Sequence, residues 1–159
     1  MADDDAPADA PADAPEQAQD EPILVNNGAR TLTLDQLGRT QPGMGRLMPE
    51  VGDRIWKLWY AAEAGNWPLA RYELEEGVAV MELSAFVRPK YERAMATFLG
   101  NEAGAVQAAI EAKDWDGFRD AYDRMVERAN AYHVQFNKGF IRWKRPDMPP
   151  PDLDLTPRT

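Results

Sequence analysis

The chain has 159 residues, 44% of them hydrophobic, enough for one domain with one core. It contains no cysteine, which excludes disulfides, thiolate metal sites, cysteine nucleophiles and thioether attachment of a cofactor. The net charge is −9, but eight of the 27 acids fall within residues 1–22, which carry no Lys or Arg. The remaining 19 acids face 18 bases, so the rest is nearly neutral and offers no electrostatic case for binding nucleic acid.

Residues 1–22 repeat Ala, Asp and Pro with no large apolar group. Such a segment cannot bury enough surface to offset its ordering entropy, so a disordered acidic tail is expected. Tails of this kind often follow a removed export signal or lipid anchor, so a periplasmic or otherwise exported protein is expected; a cytoplasmic one is compatible with the same residues. No basic-then-apolar opening marks a signal peptide, and no run of eighteen apolar residues predicts a membrane span.

Residues 23–43 read as a connector. Ile23-Leu24-Val25 is apolar, Asn26-Asn27-Gly28 is turn chemistry, and Thr33 to Leu37 can form one helical turn. A first long helix is predicted over about 44–64, because Leu47, Val51, Ile55, Leu58 and Ala62 share one face. Gly65 suits its C-terminal cap. Asn66 caps a second helix, whose first turn tolerates Pro68. Its apolar stripe is read as Leu69, Tyr72, Glu76, Val80, Leu83 and Phe86 or Val87, and Pro89 ends it.

A third helix spans roughly 90–112, with Tyr91, Met95, Leu99, Ala103, Val106 and Ile110 in phase and weak points at Gly100-Asn101 and Gly104. Asp114 caps a fourth, which carries the clearest seam of all: Trp115, Phe118, Tyr122, Met125, Ala129, Tyr132 and Phe136, closed by Gly139. Phe140, Ile141 and Trp143 are expected to anchor the following segment, and the prolines of 146–159 make it extended. The pattern predicts an all-α fold, an antiparallel up-down-up-down four-helix bundle over residues 44–145.

Few residues suggest chemistry. A carboxylate-bridged di-metal site needs two Glu-x-x-His motifs, and this chain has a single histidine, His133, preceded at three residues by Asn130. Glu76 falls on the predicted stripe and Glu73 borders it. Either is an acid–base group if buried in a pocket, or a carboxylate paired with Arg54, Lys57 or Arg71. With no nucleophile in sight, a non-enzymatic protein is expected. Lys138, Arg142, Lys144 and Arg145 suit the C-terminal end of a helix dipole, or an acidic docking partner. Spacing alone makes His133 structural, since it only borders the seam.

The local sequence adds a second reading. Residues 128–136, Arg-Ala-Asn-Ala-Tyr-His-Val-Gln-Phe, resemble the fourth helix of the soluble b-type four-helix-bundle cytochrome, where Asn-Ala-Tyr-His carries the haem ligand. The same place in cytochrome c′ holds Cys-x-x-Cys-His, so Ala129 and Tyr132 stand where the tethering cysteines would be. Asp114 to Tyr122, Leu58 to Glu73 and Phe140-Ile141-Arg142 resemble the same bundle family. The resemblance implies His133 as a ligand to haem iron and Met48, one turn beyond Met44, as a second ligand from the first helix.

Without cysteine the cofactor would be haem b, held by ligation and burial. It would serve electron transfer or gas binding, alone, with a redox partner, or in a homodimer. The aromatics Trp56, Trp59, Trp115, Phe118 and Tyr122 either line the haem pocket or fill the space, and their bulk favours filling. The alternative is a haem-free bundle serving as a structural or protein-interaction module.

Overall fold

The computed structural model describes residues 23–26 and 28–158. The tail expected over 1–22 lies outside them. Two units are distinguished, one ending at Thr40 and one beginning at Gln41. The chain is mostly helical, as its periodicity predicts, with one small sheet.

In the N-terminal unit, the apolar piece and turn residues of the expected connector form a hairpin. Strand β1, Leu24–Asn26, pairs antiparallel with β2, Thr31–Thr33, with Val25 opposite Leu32. Gly28 takes φ +86° at the turn, and its N–H donates to the Asn26 side chain. Thr33 then opens the one-turn helix α1, Leu34–Gly38. Its hydroxyl accepts from the Gln36 N–H while the Gln36 side chain accepts from the Thr33 N–H, a reciprocal capping box.

The second unit begins with α2, Met44–Glu63, and α3, Trp67–Val87, which pack along each other. Gly65, at φ +72°, makes the left-handed turn between them, and the connection is too short for any but an antiparallel pair. The Asn66 side chain accepts from the Leu69 N–H at 3.2 Å, as expected of a cap. All five stripe residues of α2 are buried.

The stripe assigned to α3 is displaced. Ala70, Glu73, Leu74, Gly77, Met81 and Ser84 face the interior, whereas Tyr72, Leu83 and Phe86 are exposed at 49, 45 and 78%. Small and polar residues lie inward because α2 approaches closely: a Cβ on Gly77 would meet Cβ of Arg54 at 3.5 Å. The largest apolar groups were therefore a false guide to the buried side.

After a single 3₁₀ turn, Pro89–Tyr91, the third predicted helix appears in pieces. Helix α4 is Glu92–Phe98, a π-helical turn occupies Leu99–Ala103, and α5 is Gly104–Ala112. The irregular turn falls on the Gly100-Asn101 weak point. Lys113, in the left-handed region, ends α5. Asp114 accepts from the Gly117 N–H at 3.1 Å and starts α6, Trp115–Gln135. α6 ends before Gly139 because Asn137 adopts φ +59° and turns the chain.

The proline-rich end is extended, as expected, and it is held. Trp56 Nε1 donates to the Met148 carbonyl at 2.9 Å, Tyr60 Oη to Pro146 at 3.0 Å, and Asn66 Nδ2 to Leu155 at 3.2 Å. Lys57 adds an ion pair to Asp152, and Arg145 lies over the Trp59 ring at 4.1 Å. Residues 146–156 thus form a strap along α2. Of the three expected anchors only Trp143 packs inward; Phe140 is 79% and Ile141 41% exposed.

Candidate functional site

The seam of α6 divides the core into two regions. Its first half belongs to an aromatic cluster. Trp59 meets Trp115 at 5.3 Å and Tyr122 at 4.9 Å between ring centroids, and Trp115 stacks on Phe118 at 5.8 Å. These edge-on and stacked arrangements fill the space completely enough that Phe118 and Tyr122 are 0 and 1% exposed. The Tyr122 hydroxyl donates to the Ile55 carbonyl at 3.1 Å, and its burial raises the phenol above its ordinary pKa.

The second half of α6 borders a cavity of about 680 Å³, within the usual range for a ligand of drug or cofactor size. Its walls come from the start of α2, the end of α3, α4, and the end of α6 with its following turn. Met44, Met48, Met81, Met95 and Met125 all line it, five of the chain's seven methionines. Phe98, Tyr132, Phe136 and Trp143 supply aromatic wall. None of the five aromatics expected as lining borders it. Trp56 and Tyr122 instead border a smaller space of about 320 Å³ beside Trp143 and Pro146.

Met48 and His133 both line the large cavity. Both border it because the first half of α2 and the last half of α6 share this end of the unit. Ala129 and Tyr132, at the positions the resemblance gives to tethering cysteines, line it too. Tyr132 is braced by Phe98, edge-on at 6.1 Å, and by the Arg128 guanidinium at 5.2 Å from its ring.

His133 is fixed at both its side chain and its backbone. Nδ1 lies 3.1 Å from the Ile141 carbonyl oxygen, and the Lys138 N–H donates to the His133 carbonyl at 2.6 Å. A carbonyl only accepts, so Nδ1 carries the proton. In neutral imidazole Nε2 then keeps its lone pair, the arrangement found where a histidine ligates a metal and a backbone carbonyl holds its other nitrogen. Trp143 backs the imidazole, with ring centroids 6.5 Å apart. Asn130 clamps Trp143 through two hydrogen bonds, Nδ2 to its carbonyl at 2.9 Å and Oδ1 from its N–H at 2.8 Å. Sequence reading passed over Asn130 and Trp143 as site residues; the visible signal was an amide side chain on the seam's border with no local partner.

Glu73 and Glu76 line neither cavity. Glu73 is buried, not at the border of the stripe but on the true inner face, and Arg54 Nη1 lies 3.2 Å from its carboxylate. Desolvation raises its pKa, and Arg54 opposes that shift without cancelling it. Arg71 pairs with Glu75 instead, and Lys57 with Asp53 and Asp152. Three of the four basic residues after α6 have separate surroundings: Lys144 pairs with Asp147, Arg145 covers Trp59, and Lys138 lines the cavity.

Among the described residues no helix is long and apolar enough to cross a membrane, and no group of three His, Cys, Asp or Glu is placed to hold a metal ion. Comparison with protein-family models, with curated proteins and with solved structures finds no match.

Proposed function

We propose that the chain is a cytochrome-like protein that binds haem b without a covalent tether, in the cavity bordered by Met48 and His133. On this reading α4, the π turn and α5 act as one broken helix, and the second unit is an antiparallel four-helix bundle with its cofactor at one end. The observation that carries it is that Met48 and His133, 85 positions apart in sequence, line one largely apolar cavity, with the His133 Nδ1 held by the Ile141 carbonyl.

The donor set suits the group. Imidazole and thioether are both ligand types for haem iron, so His133 and Met48 would hold the iron and the apolar wall would hold a macrocycle that lacks thioether links. Haem, when bound, supplies one-electron chemistry or a site for a small gas at iron. The protein's own part is to orient and to exclude water. Ile141 fixes the imidazole tautomer, Trp143 limits its rotation, and the methionines conform to an irregular ligand surface.

The test is optical. Added hemin is expected to give a shifted, sharpened Soret band that His133→Ala abolishes. Met48→Leu is expected to keep binding but alter the ligand-field bands. A spectrum identical to free hemin with the wild-type protein refutes the reading. One observation favours a second reading, a haem-free interaction module: Phe140 presents its ring to solvent beside the cavity mouth, where a protein partner would cover it. An unchanged hemin spectrum, with a partner interaction lost in Phe140→Ser, would support it.

A further inference from the structure

The cavity wall is mostly apolar; His133, Tyr91 and Tyr132 add polar atoms, and a single side chain carries a fixed charge. Lys138 contributes the only Lys, Arg, Asp or Glu side chain among the residues that line it. Among the described residues no carboxylate pairs with Lys138, whereas Lys57 and Lys144 each hold at least one. Its ammonium group rests 5.6 Å from the centroid of the exposed Phe140 ring, so it stands at the rim rather than in the wall.

Its position is set, not incidental. After α6 the Phe136 N–H donates to Tyr132, Asn137 to Val134 and Lys138 to His133, and Ile141 returns a bond to the Lys138 carbonyl at 2.8 Å. The left-handed Asn137 lets this turn close. One compact turn therefore places both His133 and Lys138 on the same cavity. Five methionines share the wall, flexible thioethers that mould to apolar shapes of differing outline.

We infer that the cavity is a site for an anionic amphiphile: an apolar body against the methionine wall, with a carboxylate at Lys138 Nζ. The shared chemistry fits a porphyrin propionate or the carboxylate of a medium-chain fatty acid. It rests on the cavity and its rim, not on iron ligation, so it stands apart from the haem reading. Lys138 acts as a specificity residue, because an unpaired cation at a half-open mouth favours an acid over its neutral counterpart while the apolar wall accepts both.

The experiment pairs acids with uncharged partners on the intact chain. Decanoate is compared with decanol by calorimetric titration, and iron-free protoporphyrin IX with its dimethyl ester by quenching of tryptophan fluorescence. In the wild type the acid of at least one pair is expected to bind about fivefold more tightly than its neutral partner, the scale of a charge pair at a partly exposed site. Lys138→Gln is expected to abolish that preference without weakening the neutral probe, and Lys138→Arg to retain it. Since the side chain is exposed, both variants are expected to keep the wild-type melting temperature.

A preference confined to the porphyrin pair assigns the site to a propionate; one confined to decanoate assigns it to a fatty acid. Either supports the inference. Equal binding of acid and neutral probe in the wild type, a preference that survives Lys138→Gln, or no binding of any probe overturns it. A protein that leaves the hemin spectrum unchanged yet prefers decanoate to decanol therefore refutes haem ligation and upholds the anion site.

Discussion

Single side chains at the core illustrate how burial sets both stability and titration. Glu73 is the clearest case. Its folded pKa is raised, mainly by desolvation, so the native state holds its proton to higher pH than the unfolded chain does. Across the window between the ordinary carboxylate value and that raised value, the native state binds more protons. Stability from this group is therefore present at low pH and falls as pH rises through the window. Urea unfolding followed across that range is expected to show the decline, and Glu73→Gln to flatten it, because the amide oxygen still accepts from Arg54 and Arg54 retains Glu50 at 2.9 Å. Tyr122 acts through a single hydroxyl. Tyr122→Phe is expected to cost about 1 kcal/mol in chemical denaturation, the net value of one hydrogen bond, while leaving the aromatic cluster packed.

Among the elements, α2 and the segment after α6 are the most closely fitted. Gly52 lies under the Trp143 ring, and a Cβ there would overlap the six-membered part of the indole. Gly52→Ala gains up to about 1 kcal/mol in helix propensity but must displace Trp143, an overpacking cost of about 1–3 kcal/mol. The net expectation is a modest loss of thermal stability together with weaker ligand binding, since Trp143 lines the cavity and backs His133. Asn130→Ala is expected to weaken binding by freeing the same indole, at a cost of about 1–3 kcal/mol in unfolding experiments.

The helices themselves were legible in the sequence. Gly65, Asn66, Pro68, Pro89 and Asp114 carry unambiguous cap and breaker chemistry, and the α2 and α6 seams repeat at helical spacing. The inner face of α3 was not, because only Leu74 and Met81 among its six buried residues are large and apolar, the others being Ala70, Glu73, Gly77 and Ser84, while Tyr72, Leu83 and Phe86 on other sides supply a competing pattern. His133 and Met48 were named from sequence, but only through a resemblance; what joins them is a cavity, and an empty volume leaves no mark on local spacing. The Asn130 and Trp143 clamp was hidden for a related reason, since the partners lie on different elements and pair only after the chain turns at Asn137.

At the scale of the second unit, one core serves two purposes. Its aromatic end is filled, while its methionine end borders an open cavity, so the first supplies packing and the second is where the proposed ligand would sit. The strap bears on a different matter, the order in which the protein is completed. The carbonyls of Pro146 and Met148 follow their donors on α2 by 86 and 92 residues. During translation, at about 5–20 residues per second, Trp56 and Tyr60 therefore wait several seconds for their partners, whichever helices have already paired. Until then the outer side of α2 offers unpartnered indole and phenol groups to whatever is nearby, including another nascent copy. A chaperone or a ribosome-proximal neighbour meets a surface that the finished molecule no longer has.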